Sequence, residues 1–254
     1  MNLAGMTWQE VREYLARSDG LIVPVGTCEQ HGPHLPLGCD TLIAEAFADR
    51  VSALTGVVVA PTLAYGVNLP CDRLTPGNAG FSFDSLRAGL SDLLADWRGQ
   101  GFRRFFVLTA HACASGGFGF AHHEAIKQAA LPSMSERGCQ VSILFPYWTD
   151  VSDLLEKQTG VTHACEVETS LALYLFPEKV RRDLVRDPER GLCIERYRAF
   201  PEGVATEPPS SDWSGASGHP ASATAEKGER IFARCLESLV GHVRESMVKG
   251  QSGI

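Results

Sequence analysis

The stretch Val23-Pro-Val-Gly-Thr-Cys-Glu-Gln-His-Gly-Pro-His-Leu-Pro-Leu-Gly-Cys-Asp40 decides how the chain is read. An apolar, strand-like run empties into a loop rich in glycine and proline that carries Glu29, His31, His34 and Asp40. Glu29 and His31 are two positions apart, so an extended backbone through them sends both side chains from the same face. A carboxylate and an imidazole aimed at one point suit a divalent cation. Asp40 heads the apolar-periodic run Thr41 to Leu54, where it is a helix N-cap, a ligand, or both. A Glu-x-His pair on its own is also ordinary loop sequence.

Outward from this stretch, strand and helix patterns alternate. Thr7 with Glu10 is a capping box for an amphipathic helix ending before Gly20, and Leu21 to Val25 follows as a buried strand. After the helix from Thr41 come a strand over Gly56 to Ala60, an extended piece over Pro61 to Asn68, and a loop over Pro70 to Gly80. A helix capped by Asp84 runs to Gly99 and Gly101, and Arg103 to Ala110 is a central strand with His111 at its end. A further helix to about Ala130 contains His122 and His123, read as a solvated face or a satisfied core pair. Gln140 to Phe145 is a strand whose end carries Pro146-Tyr-Trp148, and a helix is expected over 150 to 157. His163 precedes a helix from about Cys165 to Leu175 with Glu166 and Glu168 in its first turn, where the helix dipole favours carboxylates. Residues 177 to 222 read as a long excursion with a strand near 192 to 198, and 223 to 248 as the last amphipathic helix. The alternation predicts one three-layer αβα domain over residues 1 to 254 with a mainly parallel central sheet.

Composition narrows the function. With 254 residues, 44% hydrophobic and 21% charged, the chain has the make-up of a globular enzyme, and no apolar run is long enough to cross a membrane. A net charge of -7 with dispersed Lys and Arg argues against a nucleic-acid partner. The eight cysteines show no C-x-x-C spacing, so reduced thiols in a cytoplasm are expected. Ser115-Gly-Gly-Phe-Gly-Phe fits neither phosphate-loop pattern.

Glu29-Gln-His-Gly-Pro-His-Leu-Pro-Leu-Gly-x-Asp40 resembles the signature of the creatininase (creatinine amidohydrolase) family. His163-Ala-Cys-Glu-Val-Glu-Thr-Ser170 and Ala223-Thr-Ala-Glu-Lys-Gly228 extend the likeness over most of the chain. The chain departs from the family at Cys71-Asp72 and Thr75-Pro-Gly-Asn78, at Ala112-Cys-Ala114 after His111, and at Gly218-His-Pro220.

The resemblance implies a metal-dependent hydrolase of small amides with two divalent ions per chain. Zinc, manganese and iron all suit the mixed donors Glu29, His31, Asp40, His111 and Glu168. Asp40 would bridge the two, and the family match places Glu168 beside them. His163 and Glu168 are the expected catalytic residues, His163 stabilising a tetrahedral oxyanion or passing a proton to the leaving nitrogen. Apart from the resemblance, Tyr147 and Trp148 at the end of their strand read as an aromatic wall for a substrate or as core packing, and Cys113 is assigned to the substrate side as a small buried residue and not a ligand. The expected substrate is a small cyclic amide or a formamide. The alternatives are a peptide-trimming enzyme of cofactor maturation and a catalytically silent metal-binding protein. A homo-oligomer, by resemblance a hexamer, is expected.

Overall fold

The computed structural model describes residues 1–69, 72, 74–112, 114–115, 119–188 and 214–249. Thr7 Oγ1 accepts from Glu10 N at 3.4 Å and Glu10 Oε2 accepts from Thr7 N at 2.6 Å, the reciprocal cap that opens α1 (Trp8–Leu15). Four parallel strands form one sheet in the order β2 (Val58–Val59), β1 (Gly20–Pro24), β3 (Arg104–Leu108), β6 (Gln140–Leu144). A two-stranded antiparallel ribbon, β4 (Ala114–Ser115) and β5 (Gly119–Phe120), stands apart.

Alternation along the strands divides the core in two. Ile22, Phe106, Leu108 and Leu144 pack with α2 (Cys39–Thr55), α5 (Glu166–Leu175) and α6 (Ala225–Lys249) through Phe47, Leu171 and Ile231. Leu21, Val23, Phe105 and Val107 pack with α1, α3 (Phe83–Gln100) and α4 (Ala121–Met134) through Tyr14, Leu90 and Ile126. The expected three-layer αβα architecture is therefore the observed one. Because all four strands run the same way, the segments leaving β1, β3 and β6 emerge along one edge of the sheet, where open α/β sheets place their ligands. Among the described residues, no helix is long and apolar enough to cross a membrane.

Several local expectations are corrected. Asp40 is not a cap, because α2 begins one residue earlier, Gly38 occupies the N-cap position, and no side chain caps it. Asp84 is not a cap either; Ser82 Oγ accepts from Ser85 N at 3.1 Å, and Asp84 lies inside the first turn. Over 150 to 157 only a single 3-10 turn, Ser152–Leu154, forms. The second extended piece after β2 contributes one isolated bridge, Leu63 beside Val25. The strand expected near 192 to 198 lies outside the described residues.

The motif Ala223-Thr-Ala-Glu-Lys-Gly228 is structural. Lys227 Nζ reaches the fully buried Glu166 at 2.6 Å, and that carboxylate also accepts from Glu156 N at 3.2 Å. A Cβ on Gly228 would lie 1.9 Å from Ser170 O, so only glycine lets α6 cross α5 this closely. The pair of carboxylates at the start of α5 thus splits, Glu166 tying α5 to α6 and Glu168 entering the site.

Candidate metal centre

Glu29 and His31 arrive on the segment after β1, Asp40 on the first turn of α2, His111 just after β3, and Glu168 on the first turn of α5. Ligand-capable atoms of Glu29, Asp40 and His111 lie within 4.8 Å of one another, and so do those of His31, Asp40 and Glu168. Glu29, His31 and His163 form a third such group. Asp40 belongs to two of the groups and faces each with a different oxygen. His31 Nε2 is 3.1 Å from Oδ1, and His111 Nδ1 is 2.9 Å from Oδ2 and 3.2 Å from Glu29 Oε2. Glu29, Asp40 and Glu168 are all at most 4% exposed, so bulk water does little to screen three clustered carboxylates.

Each imidazole is oriented from behind. His31 Nδ1 meets Glu29 O at 3.1 Å and His111 Nε2 meets Val67 O at 2.9 Å. An N–H donated to each carbonyl leaves His31 Nε2 and His111 Nδ1 to face the carboxylates, the arrangement in which histidine binds a metal. Asp40 Oδ2 accepts no aligned hydrogen bond although it is buried. Imidazole nitrogens set against buried carboxylate oxygens call for positive charge between them, which a divalent cation would supply in place of the protons that the histidines otherwise hold.

Electrostatics agree with that fit. Burial opposes charge on His31, yet Asp40, Glu168 and Glu29 outweigh it and push its pKa up to about 10. Burial, reinforced by Asp40, raises Glu168 to about 7. Asp40 is held well below the usual carboxylate range, its burial overcome by His31 and His111. His34 is different: it is fully buried, bonds Thr169 Oγ1 at 2.9 Å, and is lowered to about 4 by burial and by His31 and His163. His34 therefore fastens the loop to α5 next to Glu168 and stands outside the three ligand-capable groups.

His163 lies beside this cluster, its ring centroid 4.5 Å from that of His31. Its Nε2 is 2.7 Å from Gln30 O and 2.9 Å from Gln30 Nε2, and Gln30 is itself held by Gly215 O and Gly32 N. Burial lowers the His163 pKa even though Glu29 works the other way, so a neutral imidazole stands there. Ala164 takes φ 50, and the resulting kink lets Cys165 N reach Glu168 Oε2 at 3.4 Å.

Of the residues assigned to the substrate side, Tyr147 sends its hydroxyl into the protein, where it finds no hydrogen-bond partner and its pKa is raised by burial, then by Glu168 and Asp40. Trp148 is 63% exposed and packs edge-on against Phe145 and His123. Tyr147 and Trp148 border a small cavity of about 110 Å³ with Gly160 and Val161. Cys113 lies outside the described residues. Sequence reasoning gave no role to Gln30, although its place between Glu29 and His31 put it beside the site. It also left the grouping of His163 with Glu29 and His31 unread, since those segments are far apart in sequence.

The family described as creatininase, creatinine amidohydrolase, matches residues 4–243. The chain is 28% identical to a creatinine amidohydrolase of Pseudomonas putida over 259 residues, spanning 94% of this chain and 95% of that protein. It is 31% identical to a mycofactocin precursor peptide peptidase of Mycolicibacterium smegmatis over 231 residues, 88% of this chain and 84% of that one. Among solved structures, a mutant creatininase of Zn-Zn type superposes with a TM-score of 0.78 at 26% identity, covering 97% of this chain and 98% of that one.

Proposed function

Because the chain belongs to the creatininase family of metal-dependent amidohydrolases, we propose that it hydrolyses a C–N bond of a small cyclic amide or a formamide at the cluster around Asp40. The observation that carries the reading is that Asp40 belongs to two buried ligand-capable groups, one with Glu29 and His111 and one with His31 and Glu168. We assign one divalent ion to each group, with zinc, manganese and iron as the candidates for this donor set.

Two ions held by these residues would supply Lewis acidity for a carbonyl and would acidify water toward neutral pH. The protein's own residues do the rest. Asp40 spaces the two groups, and Glu29 O and Val67 O lock the ligand tautomers. His163, its Nε2–H held by the Gln30 carbonyl, would take a proton at Nδ1 from the attacking water and then offer it to the tetrahedral oxyanion or pass it to the leaving nitrogen. Glu168, assigned to the ion shared with His31 and Asp40, is the other catalytic residue of this reading. Tyr147 and Trp148 are kept as the substrate-side candidates, the Tyr147 hydroxyl being buried where Glu168 and Asp40 act on it.

Trimming of a peptide is the second reading, favoured by the 31% identity to a peptide peptidase. The free thiols among the described residues support a reducing, cytoplasmic setting, and family membership supports a homo-oligomer, a hexamer by resemblance. The test is metal-reconstituted protein assayed against creatinine, formamides and short peptides. Turnover of a small amide supports the first reading and peptide cleavage alone the second. Tight metal binding without any turnover points to a silent metal-binding protein.

A further inference from the structure

The adjacent histidines of α4 lie behind the site, and the mechanism above does not use them. His122 is fully buried, and both of its ring nitrogens are spent on residues that hold His111. Val67 N donates to His122 Nδ1 at 3.2 Å, so the proton resides on Nε2, which meets Thr109 Oγ1 at 3.1 Å. Thr109 Oγ1 in turn accepts from His111 N at 3.2 Å and lies 3.4 Å from His111 O, to which it donates. Val67 closes the loop, its carbonyl accepting from His111 Nε2 at 2.9 Å. A single assignment of protons satisfies every member, and it leaves His111 Nδ1 bare toward Asp40 and Glu29.

Packing makes this loop stiff. The His122 ring stands edge-on to His111 at a centroid distance of 4.8 Å. A Cβ on Gly66 would fall 2.7 Å from His122 Cε1, so the backbone entering Val67 lies against the imidazole. His123 adds a bond of 3.1 Å from Nε2 to His111 O. A histidine that only filled core space would need partners anywhere; His122 has both on the two residues that fix His111.

We infer that His122 is a positioning residue that holds Val67 and Thr109, and through them aims His111 Nδ1 at the site. The inference rests on the proposed reading of His111 as a metal ligand. Partners behind a ligand commonly govern affinity by about 10–100-fold. The test is a chelator-competition titration with zinc on purified full-length wild type and on His122→Phe, Thr109→Val and the double variant, with metal-free melting temperatures alongside.

The expected result is a drop of about 10–100-fold in affinity at one of two metal sites in each single variant, with the other site unchanged. The double variant should be little worse than either, because both break one loop. His122→Asn keeps an acceptor where Nδ1 stands and should recover part of the loss. Wild-type affinity at both sites in His122→Phe and Thr109→Val would overturn the inference and leave the ligand reading intact. An equal loss at both sites that follows a lower melting temperature would also overturn it, as a purely structural effect. Wild-type protein that takes up no zinc would instead sink the ligand reading, and this inference with it.

Discussion

His111 Nδ1 stands 2.9 Å from Asp40 Oδ2, while the other oxygen of the same carboxylate lies 3.1 Å from His31 Nε2. One side chain on the first turn of α2 therefore joins the segments that leave β1 and β3. Asp40→Asn keeps the size and hydrogen-bonding shape of the group but removes its charge. The variant should lose both metals, against up to two in the wild type, as read by elemental analysis of protein reconstituted with excess zinc or manganese. Full metal content in Asp40→Asn would remove the bridging assignment.

His163→Ala should leave metal content intact and lower kcat by about 10²-fold, the scale of a lost general acid or oxyanion donor. Its ring is held by Gln30, which is not a member of the ligand-capable groups. A variant that also lost one equivalent of metal would promote His163 to the ligand set with Glu29 and His31.

Glu168→Gln should lose one metal while Cys113→Ala keeps both. Glu168 is the carboxylate that shares a group with His31 and Asp40. Two negatively charged ligands at that position would crowd one ion and add unfavourable charge. The opposite pattern in metal stoichiometry would make this a thiolate site and reduce Glu168 to the cap of its own helix.

Lys227→Met should destabilise the fold by roughly 3–5 kcal/mol in urea denaturation, because it leaves the fully buried Glu166 without its cation. Lys227→Met combined with Glu166→Gln should recover much of that loss, since a neutral amide needs no counter-charge. Metal content should stay at the wild-type level in both. A double variant no more stable than the single one would contradict the ion-pair account.

Removal of metal should lower the melting temperature. Binding to the folded chain alone contributes about 2.7 kcal/mol per site at a free metal concentration 100-fold above Kd. Calorimetry of chelator-treated and reloaded protein should therefore separate by several degrees. Coincident transitions would mean that the buried carboxylates around Asp40 are balanced without a cation.

The sequence by itself determined the order of the four sheet strands and the long helices, since hydrophobic period and capping chemistry act within a few residues. The capping box at Thr7, the buried strand after Gly20 and the helix after Cys165 were legible for that reason. It also supplied the residue types of the site, through the spacing of Glu29 and His31 and through motif likeness for Asp40, His163 and Glu168. Boundaries that hinge on one hydrogen bond were not legible, so Asp40 and Asp84 looked like caps where Gly38 and Ser82 hold those positions. Only the tertiary structure decided which donors converge. The parallel register of β1 with β3 brings His111 to Asp40, and packing of α4 behind them turns His122 from a core histidine into a partner of Val67 and Thr109. Those contacts join segments remote in the chain, and local periodicity specifies which face a side chain leaves but not what stands opposite it.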